Sequence, residues 1–209
     1  EEGTFWLEKA LHTYQTLNLP HHLALTYLDL ATVYLNTGRY QEALPLFQDI
    51  SRVWGKLNNL AEQANVFNNL GYLHHLLGHY EEALELLGKA HDYAQRSGYI
   101  RIIGYALSSI GDVCTDLGTL DAARKLYIAA RTVARSINEH YLLVYIELAL
   151  AKLAAMQADW SSVFTALDAA GKLVIDRHSS SEWGLYQFTV GYCHLLQNKA
   201  KEVMASLSD

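Results

Sequence analysis

The chain has few of the residues that interrupt helices or cross-link small folds. Its 209 residues include two prolines and two cysteines. Proline removes a backbone donor and clashes inside a helix, so its scarcity favours long helices. Two cysteines, Cys114 and Cys193, are too few for a disulfide framework. We therefore expect a largely helical chain with two reduced thiols, which is typical of a cytoplasmic protein.

Positive charge and long apolar runs are also scarce. Sixteen basic residues against 22 acidic ones give a formal net charge of −6. The chain therefore lacks the excess of positive charge that neutralises phosphates, and we expect no direct nucleic-acid binding. No apolar run approaches the roughly 18 residues of a membrane-spanning helix. With 51% hydrophobic and 18% charged residues, the composition excludes disorder and favours a folded chain without membrane contact.

A forty-residue repeat runs through the sequence. Gly38, Gly78 and Gly118 stand 40 residues apart. Each glycine is followed first by an aromatic residue or leucine and then by a small residue, and these positions are Tyr40, Tyr80, Leu120, Ala43, Ala83 and Ala123. The next two steps of 40 reach Ala158 and Asn198. A period held over four steps without insertion predicts a protein built from stacked repeats.

Each repeat is predicted to contain two helices. In the second repeat, helix A covers about 62–77, where apolar residues recur three and four positions apart. Gly78 follows at the position where a helix end needs a left-handed backbone, and helix B covers about 80–96. Ala158 adopts that backbone less readily than glycine, so we expect the least regular turn there. One helix pair cannot bury its apolar faces alone, so the pairs must stack.

The repeat divides the chain into a half repeat and about five helix pairs. The predicted segments are a half repeat at 1–18 and repeats at about 22–58, 61–98, 101–138, 141–177 and 181–208. The last repeat is predicted to have helix A near 181–197, a turn at Asn198, and a truncated helix B at 199–208. The first helix lacks its partner, so we expect exposed apolar residues there, namely Phe5, Trp6 and Leu11. We expect the chain to be part of a longer protein, able to self-associate through its terminal helices.

Several short motifs in the second repeat resemble the tetratricopeptide repeat. They are Asn69-Leu70-Gly71-Tyr72, Leu77-Gly78-His79-Tyr80, Glu82-Ala83, Leu87 and Ala90. The resemblance implies an all-α fold, a right-handed α–α superhelix that forms one solenoid domain over 1–209. The period is 40 residues rather than the usual 34 or so. Such long repeats are similar to those in the sensor regions of large bacterial transcription regulators, such as the maltose-regulon activator.

Candidate chemistry is sparse along the chain. No phosphate loop, nucleophile elbow or zinc-protease motif is present. His74, His75 and His79 are the best metal candidates, but no carboxylate or cysteine completes the set. We predict that His74 is buried within the helix pair and that His75 is on the surface. Cys114 and His194 are predicted to fill core positions, so we expect no catalytic residue, cofactor or metal.

A basic cluster lies on helix B of the third full repeat. Its members are Arg124, Lys125, Arg131 and Arg135. They are predicted to lie on the outer surface, opposite the small core residues of that helix. Two interpretations remain open, a solvated face and a small docking patch for an acidic partner.

The resemblance also implies a binding wall. In similar proteins helix A lines the concave wall of the superhelix. The matching positions predict groove residues at Asn65, Asn68, Tyr72, His75, Tyr105, Ser108, Asp112, Tyr145 and Lys152. Asparagine offers a donor and an acceptor to a peptide backbone, and tyrosine offers an amphipathic ring. Asp112 and Lys152 share one repeat position, so they either pair with each other or contact a ligand.

These observations predict a non-catalytic interaction or effector-sensing module. It would belong to a larger, bacterial signalling or transcriptional regulator and hold a protein or peptide partner in the concave groove. Two alternatives remain open. In the first, Tyr72, Tyr105 and Tyr145 stack a sugar-like small molecule. In the second, the chain is a structural spacer whose groove is filled by another domain of the same chain.

Overall fold

The structure is a computed structural model that describes residues 2–177 and 179–206. These residues form ten α-helices and no strand, so the predicted all-α fold is confirmed. The helices are α1 (Glu2–Thr16), α2 (Pro20–Asn36), α3 (Tyr40–Lys56), α4 (Leu60–Leu76), α5 (Tyr80–Ser97), α6 (Ile100–Asp116), α7 (Leu120–Ser136), α8 (His140–Met156), α9 (Trp160–Arg177) and α10 (Ser180–Ser206).

The chain divides into two compact units, Glu1–Ser109 and Ile110–Asp209. In the first unit, α1 to α5 each pack against the helix that precedes or follows them in the sequence. In the second unit, α8 packs against α7 and α9, and α10 packs against both α8 and α9. This neighbour-to-neighbour packing is the arrangement of a helical-repeat fold. The right hand of the superhelix and its single-domain organisation stay predictions.

One turn geometry joins the helices from α1 to α9. The residues with a left-handed backbone in these turns are Asn18, Gly38, Asn58, Gly78, Gly98, Gly118, Asn138 and Ala158. In the turn after α4, the Gly78 N–H donates to the His75 carbonyl at 2.9 Å, and the His79 N–H donates to the His74 carbonyl at 2.9 Å. This hydrogen-bond pair is the Schellman motif, which satisfies the last carbonyls of a helix. The asparagine turns repeat the glycine turns halfway through each forty-residue period.

The turn at Ala158 has the same geometry as the others, so the prediction of an irregular turn there is wrong. Ala158 has a φ of 56°. Its N–H donates to Ala155 at 3.1 Å, and the Asp159 N–H donates to Ala154 at 3.0 Å. The departure from glycine therefore leaves the geometry intact and imposes strain on the alanine, because a Cβ disfavours the left-handed region.

Replacing Ala158 by glycine is expected to stabilise the protein. Glycine takes the left-handed backbone without the cost of about 1 kcal/mol that alanine bears. For a chain of this size, that gain raises the thermal midpoint by roughly 2–4 °C. The matched change Gly78→Ala should lower the midpoint by a similar amount, since Gly78 has a φ of 78°. Circular dichroism melts of both variants test this, and an unchanged or lower midpoint for Ala158→Gly would contradict it.

The predicted turn at Asn198 is absent, because α10 continues from Ser180 to Ser206 as one helix of 27 residues. The residues around Asn198 are leucine, glutamine, lysine and alanine, all good helix formers. Asparagine also accepts the ordinary helical backbone, so nothing local forces the chain to reverse there.

In the described part of the chain, no helix combines the length and apolar character that crossing a membrane requires.

Small residues let the two helices of a pair approach closely. A Cβ added to Gly71 in α4 would lie 2.6 Å from the Leu87 Cγ of α5 and 3.2 Å from the Ala83 carbonyl. The alternation of small and large residues along facing helices therefore sets the distance between them.

At the start of the chain, Phe5 and Trp6 are exposed as predicted, while Leu11 is half-buried.

Candidate binding surface

Helix α8 shows which part of a helix A remains accessible. Between residues 141 and 156 its side chains are buried except at five positions, which are Tyr141, Tyr145, Ala149, Lys152 and Met156. Positions three and four residues apart lie on one face of a helix. The accessible part of α8 is therefore a single narrow stripe, with helices packed around the rest of its surface.

The corresponding residues of α2, α4 and α6 are also exposed or half-buried. In α2 they are His21, Leu25, Asp29, Thr32 and Asn36. In α4 they are Ala61, Asn65, Asn69, Tyr72 and Leu76, and in α6 they are Arg101, Tyr105, Ser109, Asp112 and Asp116. We call these repeat positions the helix A stripe. The first unit holds the stripe of α2, α4 and the start of α6, and the second holds the end of α6 and α8.

Six of the nine predicted groove residues lie on the helix A stripe. They are Asn65, Tyr72, Tyr105, Asp112, Tyr145 and Lys152. The other three do not lie on it. Asn68 is 8% exposed and Ser108 is 2% exposed. Their side-chain oxygens are buried without a hydrogen-bond partner. His75 is half-buried, with its ring centroid 6.4 Å from that of Tyr72 and 5.9 Å from that of Tyr80.

The sequence-based prediction therefore missed the stripe by one residue at this repeat position. The accessible residues are Asn69 and Ser109, which follow Asn68 and Ser108 in the chain. A signal was present in the other repeats. The position of Asn68 carries Leu28 in α2 and Leu148 in α8, whereas the position of Asn69 is never a large apolar residue in α2, α4, α6 or α8. Apolar residues at one repeat position indicate that it faces the core.

The stripe of α4 is rich in neutral hydrogen-bonding groups. Asn65 and Asn69 are half-buried and four residues apart, which places their amides on one face. Tyr72 follows on the same face and is also half-buried. Each asparagine amide can donate and accept at once, as a peptide unit does. The stripe of α4 therefore matches the hydrogen-bonding pattern of an extended main chain.

In the second unit, two tyrosine hydroxyls hold the carboxylate of Asp112. The Tyr127 hydroxyl donates to Asp112 Oδ1 at 2.7 Å, and the Tyr145 hydroxyl donates to Oδ2 at 2.9 Å. Thr115 Oγ1 lies 3.2 Å from the same Tyr127 hydroxyl. Burial, and then the negative charge of Asp112, raise the pKa of Tyr127 well above its usual range. The Tyr127 hydroxyl therefore stays protonated and remains a donor to Asp112.

Lys152 contacts an aromatic ring. Its Nζ lies 5.7 Å from the ring centroid of Phe188 in α10. The pairing of Asp112 with Lys152 that the sequence allowed stays a prediction. Burial raises the pKa of the nearby Cys193 thiol, against a smaller lowering effect of the Lys152 charge.

The basic cluster on α7 lies only partly on the outer surface, since Lys125 and Arg135 are exposed while Arg124 and Arg131 are half-buried. Arg131 Nη1 lies 3.4 Å from Glu147 Oε2, and Arg135 Nη2 lies 3.5 Å from Glu147 Oε1. Glu147 is a buried residue of α8. Arg124 donates to Gln157 Oε1, while Lys125 remains exposed. A buried carboxylate needs a compensating charge, which explains why these arginines turn toward α8.

The histidines of the second repeat lie at the end of α4 and in the turn that follows. The ring centroids of His74 and His79 are 5.6 Å apart. Burial, and then the proximity of His79, lower the pKa of His74, against the opposing effect of Glu82. His74 is half-buried, as His75 is, so the predicted contrast between them is not seen. No cluster of three or more histidine, cysteine, aspartate or glutamate residues in the described ranges could hold a metal ion.

The two cysteines are free, and the prediction that Cys114 and His194 fill core positions is wrong. Cys193 is buried, whereas Cys114 is half-buried. His194, predicted to be a core residue, is exposed. On a helix, neighbouring residues point about 100° apart. Because the side chain of Cys193 is buried, that of the next residue, His194, points away from the buried face of α10.

The neighbour-to-neighbour packing of the helices and the helix A stripe together define a helical-repeat protein. Its A helices α2, α4, α6 and α8 each carry accessible stripe residues. Residues 6–96 match the tetratricopeptide repeat family. The match covers less than half of the 209 residues. Comparison of the sequence with curated proteins gives no match.

Solved structures share the fold over nearly the whole chain. BtubC (BKLC) from P. vanneervenii has a TM-score of 0.72 and 13% identity, with 100% of this chain and 92% of that chain covered. Aspartyl phosphate phosphatase F from Bacillus subtilis has a TM-score of 0.75 and 10% identity, with coverage of 98% and 56%. A Rap protein complexed with Competence and Sporulation Factor has a TM-score of 0.65 and 15% identity, with coverage of 95% and 59%. These likenesses show a common fold, and this chain spans little more than half of the last two proteins.

Proposed function

We propose that the chain is a non-catalytic protein-interaction module that binds an extended segment of a partner along the helix A stripe of its first unit. The observation that supports this most is the recurrence of the stripe. In the first unit, α2 and α4 leave the same five repeat positions exposed or half-buried. Equivalent accessible positions on these neighbouring repeats suit a ligand that is itself a linear chain.

The stripe of α4 supports a peptide as the ligand. An extended peptide presents unpaired N–H and C=O groups that lose water on binding and need new partners. The amides of Asn65 and Asn69 can supply both kinds of partner. The ring of Tyr72 adds apolar contact with a polar end, a combination enriched at interfaces. The peptide main chain would thus be recognised first, and the flanking stripes would select its side chains.

The setting of the module also belongs to this proposal. The Rap structure was solved with a bound factor, so a fold of this type can hold a second molecule. We infer that this chain serves in the same general way, as the sensing or docking part of a larger cytoplasmic regulator. Its two free thiols are compatible with a reducing compartment.

The test is selection of short random peptides on the immobilised chain, followed by affinity measurements with the selected sequences. The double variant Asn65→Ala/Asn69→Ala should weaken binding about tenfold or more, because each lost amide strands a peptide group. The matched control is Asn68→Ala, one residue from Asn69 but buried, which should leave the affinity within about twofold once folding is verified.

Two results would contradict the proposal. Equal losses for the control Asn68→Ala and for the double variant Asn65→Ala/Asn69→Ala would show that the stripe does not contact the ligand. A thermal upshift with simple sugars, together with no selected peptide, would favour the small-molecule alternative, because a ligand that binds the native state raises its stability by mass action.

A further inference from the structure

The helix A stripe of α2 and α4 carries a single formal charge, at Asp29. The other stripe residues of these two helices are apolar, polar and uncharged, or, at His21, neutral at pH 7. Asp29 is also the one aspartate, glutamate, lysine or arginine between Pro20 and Asn36. The part of the stripe that these two helices form therefore presents a negative charge at one defined place.

Asp29 is exposed, and it occupies the repeat position that Asn69 occupies in α4. The accessibility of this position belongs to the repeat and not to the beginning of the chain, because Asn69 in the next repeat is accessible as well. The surrounding helices nevertheless remove part of the water around Asp29, and this burial raises the pKa of its carboxyl above the usual value. A carboxylate that has lost part of its hydration gains more from a nearby cation than a fully hydrated one does.

The first unit does not supply a cation for Asp29. Neither α2 nor α4 contains a lysine or an arginine. Arg39 pairs with Glu42, and Arg52 of α3 pairs with Asp49. Among the residues that the structure describes, Asp29 has no hydrogen-bond or ion-pair partner. Its charge is therefore not compensated within this unit.

We propose that Asp29 binds a lysine or arginine side chain of the extended partner segment and so selects which segments bind. This inference rests on the function proposed above, in which Asn65 and Asn69 hold the main chain of that segment. An ionised carboxylate accepts hydrogen bonds from an ammonium or guanidinium group. Leu25 lies one turn before Asp29 on the same face and is half-buried. It offers an apolar surface to the aliphatic stem of a long basic side chain.

The packing of α2 against α4 also predicts where the basic residue stands in the partner segment. The two helices are in direct contact, and packed helices lie about 8–10 Å apart. An extended chain advances about 3.3 Å per residue. A segment that crosses from Asn69 to Asp29 therefore needs about three residues to do so. We expect the basic residue about three positions from the peptide group that Asn69 holds.

The first test uses short random peptides, acetylated at the N-terminus so that a lysine or arginine side chain is the cation they offer. The peptides selected on the unchanged chain should share a basic residue at one position. Asp29→Asn should weaken their binding about fivefold or more, the upper range for an ion pair that keeps some contact with water. The matched control is Asp49→Asn, which removes the same charge from an exposed residue of α3 that lies off the stripe. It should leave the affinity within about twofold.

The second test is a double-mutant cycle between Asp29 and the basic residue of a selected peptide. Replacing that peptide residue by glutamine should weaken binding to the unchanged chain about fivefold or more, and it should change binding to the Asp29→Asn chain little. Asp29→Lys should instead prefer the same peptide with glutamate at that position. Added salt should weaken binding to the unchanged chain more than binding to Asp29→Asn, because salt screens the ion pair.

The outcomes separate this inference from the proposed function. Peptides that need Asn65 and Asn69 but bind Asp29→Asn as tightly as the unchanged chain would overturn the inference and leave the proposed function intact. Equal losses for Asp29→Asn and Asp49→Asn would also overturn it, because the net charge of −6 would then be what attracts basic peptides. If no peptide is selected at all, both proposals fail.

Discussion

Replacing Trp54 by alanine is expected to lower the free energy of unfolding by about 3–5 kcal/mol, the usual cost of truncating a buried tryptophan. Trp54 is fully buried in the core of the first unit, with Phe47 and Ile50 in the same cluster. The ring of His21 packs edge-on against it, with 5.1 Å between centroids. The cavity left by the indole lies between α2 and α3, where the neighbouring helices allow little collapse.

The measurement is a thermal or urea melt of the full chain. The thermal midpoint should fall by roughly 6–20 °C, since each kcal/mol is worth about 2–4 °C for a chain of this length. Trp6→Ala is the matched control, because Trp6 is 56% exposed and its truncation should cost about 1 kcal/mol or less. Equal shifts for the two variants would contradict the assignment of Trp54 to the core.

The intermediate variant Trp54→Phe adds a second expectation. The buried Nε1 of Trp54 has no hydrogen-bond partner. Phenylalanine removes that unsatisfied donor while keeping most of the apolar ring. The loss for Trp54→Phe should therefore be well below that for Trp54→Ala, because a buried unpaired donor costs about 1–3 kcal/mol.

Replacing Arg131 by alanine is expected to destabilise the second unit by about 1–3 kcal/mol. Glu147 is buried, and its carboxylate lies near Arg131 at 3.4 Å and Arg135 at 3.5 Å. The Arg135 side chain is 63% exposed, so it compensates the buried charge less well after Arg131 is removed. Losing one member of a buried ion network costs more than the network contributes, because a charge is left without its partner.

Two further variants separate this explanation from a general loss of packing. Lys125→Ala on the same helix removes an exposed cation and should change the urea midpoint little. Glu147→Leu removes the buried charge itself, so its cost should be close to zero or slightly favourable. If Glu147→Leu destabilised the chain more than Arg131→Ala, the carboxylate would be a stabilising element in its own right.

The fold could be predicted from the sequence because its signals are local and repeated. A forty-residue period recurs in glycine, aromatic and small residues, and helical spacing within each period is sufficient to predict a pair of helices. The turns at Asn18, Asn58 and Asn138 were missed, although asparagine is the residue that most often replaces glycine in a left-handed helix end. A search for both residue types would have revealed a spacing of twenty.

The binding surface could be predicted only in part, because accessibility depends on how neighbouring helices pack. Asn68 and Asn69 are the same residue type on the same helix, so polarity could not separate the buried one from the accessible one. Similarly, Arg131 and Glu147 are 16 residues apart on different helices, and no periodic pattern links them. At Asn198 the sequence allowed both a turn and a continuous helix, because asparagine accepts either backbone conformation.

The self-contained hydrogen bonding of the turns has a consequence for how such a chain changes length. The backbone hydrogen bonds of each turn join groups within about six residues, so the turn does not depend on contacts with distant parts of the protein. A gene duplication or deletion that spans forty codons would rejoin the chain in phase, with every retained joint unchanged. Evolution can therefore lengthen or shorten this protein by whole helix pairs, whereas an insertion of a few residues within a helix would shift every later contact.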